Sequence, residues 1–81
     1  MNVRVLLFGS AARMAGAESV TVVAKEPATC DVVMSALGEQ FPRLRPLTRS
    51  ARLAVNACYV HGSTSVTAHD EVALISLVSG G

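Results

Sequence analysis

Residues 19–42 read SVTVVAKEPATCDVVMSALGEQFP, and the change of rhythm inside this stretch decides the fold. Its first part, SVTVVA (19–24), is β-branched and suits a strand. Pro27 then breaks the chain. Thr29 is placed to cap a helix, and Asp31 lies in the first turn, where a carboxylate is favourable. Val33, Ala36, Leu37 and Phe41 recur at helical spacing, so residues 29–40 are expected to form an amphipathic helix. Gly38 weakens that helix by about 1 kcal/mol relative to Ala. Pro42 marks its end, because the residue before a proline is pushed out of helical geometry.

Upstream, residues 2–9 (NVRVLLFG) read as a strand. Val3, Val5 and Leu7 fall on one face, and Asn2, Arg4, Leu6 and Phe8 on the other. The Ala-rich SAARMAG (10–16) suits a brief helical turn, and so short a link favours antiparallel pairing of the strands it joins. Downstream, PRLRPLTRS (42–50) is a proline-broken connection anchored by Leu44 and Leu47. LAVN (53–56) and CYV (58–60) read as short strands around a tight turn. HGSTSVTAH (61–69) reads as a loop, Asp70 as a turn residue, and EVALISLV (71–78) as the last strand, after which come Ser79, Gly80 and Gly81.

The order is thus β-β-α-β-β-β, an α+β chain. A right-handed crossover through one helix lets the first and last strands lie side by side and parallel. That is a β-grasp: a mixed sheet wrapped around one main helix. The domain is expected to span residues 1–78, with 79–81 as a flexible Gly-Gly tail. One helix covers only one face of a sheet, so the other should be polar. It is not: Ala73, Ile75 and Leu77 alternate with Val72, Leu74 and Val78, and Leu6 and Phe8 oppose Val3, Val5 and Leu7. Either Phe8, Ile75 and Leu77 belong to a partner surface, or these are central strands that tolerate apolar residues on both sides.

The 81 residues make one domain with few aromatics (Phe8, Phe41, Tyr59) and a formal net charge of +1. That balance is no footprint for nucleic acid or an anionic membrane. Four of the seven basic residues, Arg43, Arg45, Arg49 and Arg52, fall in one ten-residue stretch, either a solvated surface or a docking patch for an acidic partner. No apolar run reaches membrane-spanning length. Two cysteines without a leader peptide point to a reducing, cytoplasmic compartment.

Little here could carry chemistry alone. Cys30 stands at a helix start, which would favour a thiolate, but no histidine adjoins it, and it reads as a small packed side chain. Cys58, in a short apolar strand, is expected in the core. His61 and His69 lack further ligands at metal spacing. No phosphate loop or nucleophile elbow is present. The chain end differs. A carboxylate that must enter another protein's narrow active site needs a thin, extendable carrier, and glycine supplies it.

Taken together, VRVLLFGSAARMAG, the helix exit EQFPRL, LAVNACYV and HDEVALISLVSGG resemble the MoaD family, the small subunits of molybdopterin synthase among the MoaD/ThiS ubiquitin-like sulfur carriers. The resemblance covers essentially the whole chain. It departs at His69, where a glycine is common, and at Ser76 and Leu77, where prolines are common. It implies a non-enzymatic carrier that binds no cofactor and acts in molybdenum cofactor biosynthesis. An E1-like (MoeB-like) adenylyltransferase would use ATP to adenylate Gly81, and a sulfur donor would convert it to a thiocarboxylate. Val78, Ser79 and Gly80 would then carry Gly81 into the MoaE-like large subunit, where the dithiolene forms. A thiamine-thiazole carrier, a carrier for cysteine synthesis or tRNA thiolation, a non-covalent β-grasp binding module and a Cys30 thiol enzyme are the alternatives.

Overall fold

The structure, a computed structural model, describes residues 1–76. Strand β1 (Asn2–Leu7) is followed by helix α1 (Gly9–Ala15) and β2 (Ser19–Val23). A short strand β3 (Ala28–Thr29) leads into the main helix α2 (Cys30–Gln40). A 3₁₀ turn (Pro42–Leu44) and a one-turn helix α3 (Arg45–Thr48) connect it to β4 (Ala51–Val55). Then come β5 (Cys58–Tyr59), β6 (Ser65–Val66) and β7 (Val72–Ser76). The main sheet has the order β2-β1-β7-β4-β5; β3 and β6 form a second, two-stranded sheet. β1 and β7 are parallel, with Val5 opposite Val72 and Leu7 opposite Leu74. The other pairs in the main sheet are antiparallel. This is the α+β β-grasp the sequence predicts.

The period-2 pattern sets which face is buried. Val3, Val5 and Leu7 of β1 and Val72 and Leu74 of β7 point under α2, where they meet Val33 and Leu37. Leu44 is also wholly buried, so the proline-broken connection is pinned as expected, with Leu47 half-buried beside the core. No charged or polar residue is buried among the described residues.

Helix α2 begins where its capping signals place it. Thr29 Oγ1 accepts from Val32 N (3.3 Å). The amides of Cys30 and Asp31 donate to the carbonyls of Thr64 (3.0 Å) and Gly62 (2.9 Å). The first turn's otherwise orphaned donors are thus satisfied by the 61–64 segment. A Cβ on Gly62 would overlap the Asp31 carboxylate, 2.6 Å from its Cγ, so a larger residue there must displace that exposed side chain. At the other end, the Gln40 side chain behaves like a strand neighbour. Its Oε1 accepts from Val23 N (2.9 Å) and its Nε2 donates to Val23 O (2.8 Å), covering the exposed edge of β2.

Three expectations are corrected. β1 ends at Leu7 rather than Gly9, because Phe8 becomes the N-cap of α1. The segment 61–69 is not all loop, since Ser65–Val66 pairs with Ala28–Thr29. Cys58 is exposed rather than in the core, because β5 is the outer strand of the sheet and both its residues are exposed. The last strand is described through Ser76; the rest of the expected 71–78 strand, and the 79–81 tail, lie outside the described residues.

Candidate functional site

The last described residues belong to the best-supported strand of the sheet. β7 is central, hydrogen-bonded to β1 on one side and β4 on the other. Its described end lies where β4 begins, with Ala51 opposite Ser76 and Arg52 opposite Ile75. Because β1 runs parallel to β7, its end at Leu7 and the following Phe8 lie at the same pole. Ser76, the last described residue, therefore lies at the pole that holds the start of α1 and the α3–β4 junction.

The residues expected at this pole divide as follows. Phe8 is 55% exposed, and Ile75 is half-buried on the sheet face away from α2. Leu6 lies on that face and pairs with Ala73, which pairs with Ala54; Tyr59, 59% exposed, follows opposite Ala54. β1 and β7 are inner strands of the sheet, and part of their back face is open to solvent. Leu77, Val78, Ser79, Gly80 and Gly81 lie outside the described residues.

The approach to β7 is built by a polar network. Asn56 and Ala57 form the two-residue turn between β4 and β5 with φ of 52° and 68°, the geometry of a tight hairpin turn. Asn56 Oδ1 accepts from Glu71 N (2.9 Å), its backbone N–H donates to Glu71 O (2.7 Å), and its Nδ2 donates to Asp70 Oδ1 (3.0 Å). Asp70 Oδ2 accepts from Thr67 N (2.8 Å). The Thr67 amide, then the Asn56 side chain, hold the Asp70 carboxyl below its ordinary pKa. Asp70 is the expected turn residue; the role of Asn56 as the bridge to Glu71 was not legible, since the two lie fifteen residues apart.

Neither cysteine has the setting of a nucleophile. Cys30 is buried, and burial, then the charges of Asp31 and Asp70, push its thiol pKa up, the opposite of activation. It lines an open cleft of about 490 Å³ with Asp31, Arg52, Tyr59 and His61. Cys58 stands exposed on the outer strand. No group of His, Cys, Asp and Glu among the described residues could hold a metal, and no described helix is long and apolar enough to cross a membrane.

Residues 5–81 match the ThiS family, a span that takes in the Gly-Gly end. The chain belongs to the ThiS family. This places it in the MoaD/ThiS group of small ubiquitin-like sulfur carriers that its sequence resembles. It is 31% identical over 81 residues to a molybdopterin synthase sulfur carrier subunit of Arabidopsis thaliana, covering all of this chain and 84% of that one. The crystal structure of SAMP1 from Haloferax volcanii superposes with a TM-score of 0.82 at 26% identity, each chain wholly covered. Subunit 1 of the molybdopterin-converting factor from Helicobacter pylori 26695, solved in a complex of subunits 1 and 2, has a TM-score of 0.69 at 21% identity, again with full coverage of both chains. At that identity the likeness speaks to the fold alone.

Proposed function

We propose that this chain is the sulfur carrier of molybdopterin synthase, with the carboxylate of Gly81 as its only reacting group. The observation that carries the reading is the family match through Gly81, joined to 31% identity over the whole of this chain with a relative of that name. A carboxylate oxygen attacks the α-phosphorus of ATP on an E1-like enzyme, and pyrophosphate leaves. Sulfide then adds to the acyl carbon and AMP departs, leaving a thiocarboxylate; a persulfide donor gives the same product once a thiol cleaves the intervening S–S bond and ends as a disulfide. In the large subunit the thiocarboxylate sulfur bonds to the pterin precursor, and water cleaves the acyl–sulfur bond, returning Gly81 to a carboxylate. Acids and bases for these steps come from the partners. That division fits a domain whose described residues hold a buried Cys30, its thiol pKa raised by burial, and an exposed Cys58.

The fold supports the role mechanically. Residues 77–81 span at most about 17 Å when extended, so the acyl carbon reaches only a site whose entrance docks the root of the tail. β7, held on both sides, fixes that root. The exposed Phe8 and half-buried Ile75 beside it, with Leu77 next along the chain, form the docking surface for the large subunit.

Intact mass spectrometry after incubation with ATP, the activating enzyme and a sulfur donor tests the reading. The expected product is heavier by the difference between one sulfur and one oxygen, localised to the terminal peptide. Molybdopterin formation by a chain lacking Gly80 and Gly81 would refute it.

A further inference from the structure

The sequence between residues 40 and 69 holds Arg43, Arg45, Arg49 and Arg52 and not one carboxylate. The fold gives this cluster a location the sequence does not show. All four are exposed. Arg52 lies opposite Ile75, one residue before the last described residue of β7, and Arg49 is two residues before Ala51, the partner of Ser76. Arg45 and Arg49 line an open groove of about 390 Å³ with Pro42 and Pro46. The groove is held in place by the wholly buried Leu44 and by α3, whose Thr48 Oγ1 donates to Arg45 O (2.8 Å). α3 packs on α2 at Gly38, where a Cβ would make ordinary contact with Arg45 Cγ at 3.9 Å. The nearest acidic residue in sequence, Glu39, lines a different surface with Val23 and Lys25. On the other side of β1, the backbone carbonyl of Glu18 accepts from Leu7 N (2.8 Å).

We propose that Arg45, Arg49 and Arg52 form a basic collar at the root of the tail, which docks on an acidic protein surface flanking the active-site entrance of the adenylating enzyme. The inference rests on the carrier reading above. Adenylation opens every sulfur-carrier route, so this partner does not depend on which pathway the sulfur enters. A protein fits the collar better than a nucleic acid. The net charge of +1 gives no extended electrostatic footprint. The collar also adjoins the apolar Ile75–Phe8 surface, and an apolar centre edged by arginine is the anatomy of a protein interface. Charges at such an edge act on encounter more than on the chemical step. They raise association rates and make them salt-dependent.

The test is steady-state adenylation of the full chain by the E1-like enzyme, followed by ATP–pyrophosphate exchange across a salt series. The double variant Arg45→Glu/Arg49→Glu should raise KM roughly tenfold at low ionic strength and leave kcat unchanged. The gap should close near 1 M salt, where the screening length is about 3 Å. Arg45→Lys/Arg49→Lys should stay near wild type, because charge and not fork geometry steers encounter. Should the reversed-charge pair fail to fold, as read by circular dichroism, Arg45→Ala/Arg49→Ala carries the same expectation at a smaller shift. An unchanged KM and salt slope in folded variants overturns the collar while leaving the carrier reading intact. So does a fall in kcat at constant KM, or retention of wild type but not the variant by single-stranded RNA. A wild-type chain that the enzyme does not activate refutes the carrier reading and the collar together.

Discussion

Replacing Phe8 with Ser separates docking from folding, because the proposed docking surface and the start of α1 share this residue. The ring is 55% exposed at the tail's pole, and the same residue caps α1 without a side-chain hydrogen bond. A phenylalanine side chain presents about 200 Å², so about 110 Å² of ring is open to a partner and about 90 Å² is buried against the domain. At about 25 cal/mol per Å² the open part contributes about 2.7 kcal/mol to docking, a loss of roughly a hundredfold in Kd. The buried part contributes about 2 kcal/mol to folding. A serine N-cap returns about 1 kcal/mol of that, because its hydroxyl can accept from a first-turn amide beside the existing Ala11 N to Phe8 O bond of 3.2 Å. The net cost to folding is about 1 kcal/mol, a Tm lower by about 4–8 °C for a domain of this size. Isothermal titration against the large subunit measures docking, and a thermal melt measures folding. Val23→Ser is the control: Val23 is 61% exposed, at the end of β2 opposite Asn2 and hence at the far pole, and should leave Kd unchanged. A folded Phe8→Ser chain that binds within about threefold of wild type, less than 1 kcal/mol, refutes the docking surface; equal weakening by Val23→Ser shows that the effect is not local.

Three further outcomes follow from the geometry. Ala57 holds φ of 68° in the β4–β5 turn; the left-handed region costs an L-residue about 1–2 kcal/mol, and glycine gives back about 0.4–1 kcal/mol through unfolded-chain entropy, so Ala57→Gly should stabilise by about 0.5–1 kcal/mol in urea denaturation. Asp70 has a folded pKa below its unfolded value, so its contribution is full above the unfolded pKa of about 3.9 and is lost as pH falls through the lower folded value; Asp70→Ala should therefore lose less stability than wild type between pH 5 and the most acidic folded condition, both about one unit or more from that midpoint, and parallel acid limbs would contradict the assignment. Cys30→Ala/Cys58→Ala should keep sulfur transfer in a reconstituted synthase assay, and complete loss in a folded protein would move the chemistry to a thiol.

Much of the architecture is local and could be read along the chain. The Thr29 cap, the Val33–Ala36–Leu37 stripe and the Pro42 stop define α2 because each acts within a turn or two of itself. The alternation of Val3, Val5 and Leu7 marks the buried face of β1 because side chains reverse at every residue of a strand. The Gly-Gly end is equally a property of the sequence, since a bare, narrow tail needs no tertiary partner to be recognised. The outer position of Cys58 could not be read, because whether a short apolar strand is central or peripheral depends on which strands pair beyond it. Ser65–Val66 is a strand only because Ala28–Thr29 is there to bond it. Asn56 reaches Glu71, and Arg52 comes to lie opposite Ile75, through the antiparallel return of β7 along β4. Hydrophobic period and capping are written residue by residue, whereas register between distant strands is chosen by the core they bury together, and that register is what brings the end of β1, Ile75 and Arg52 to one pole of the sheet.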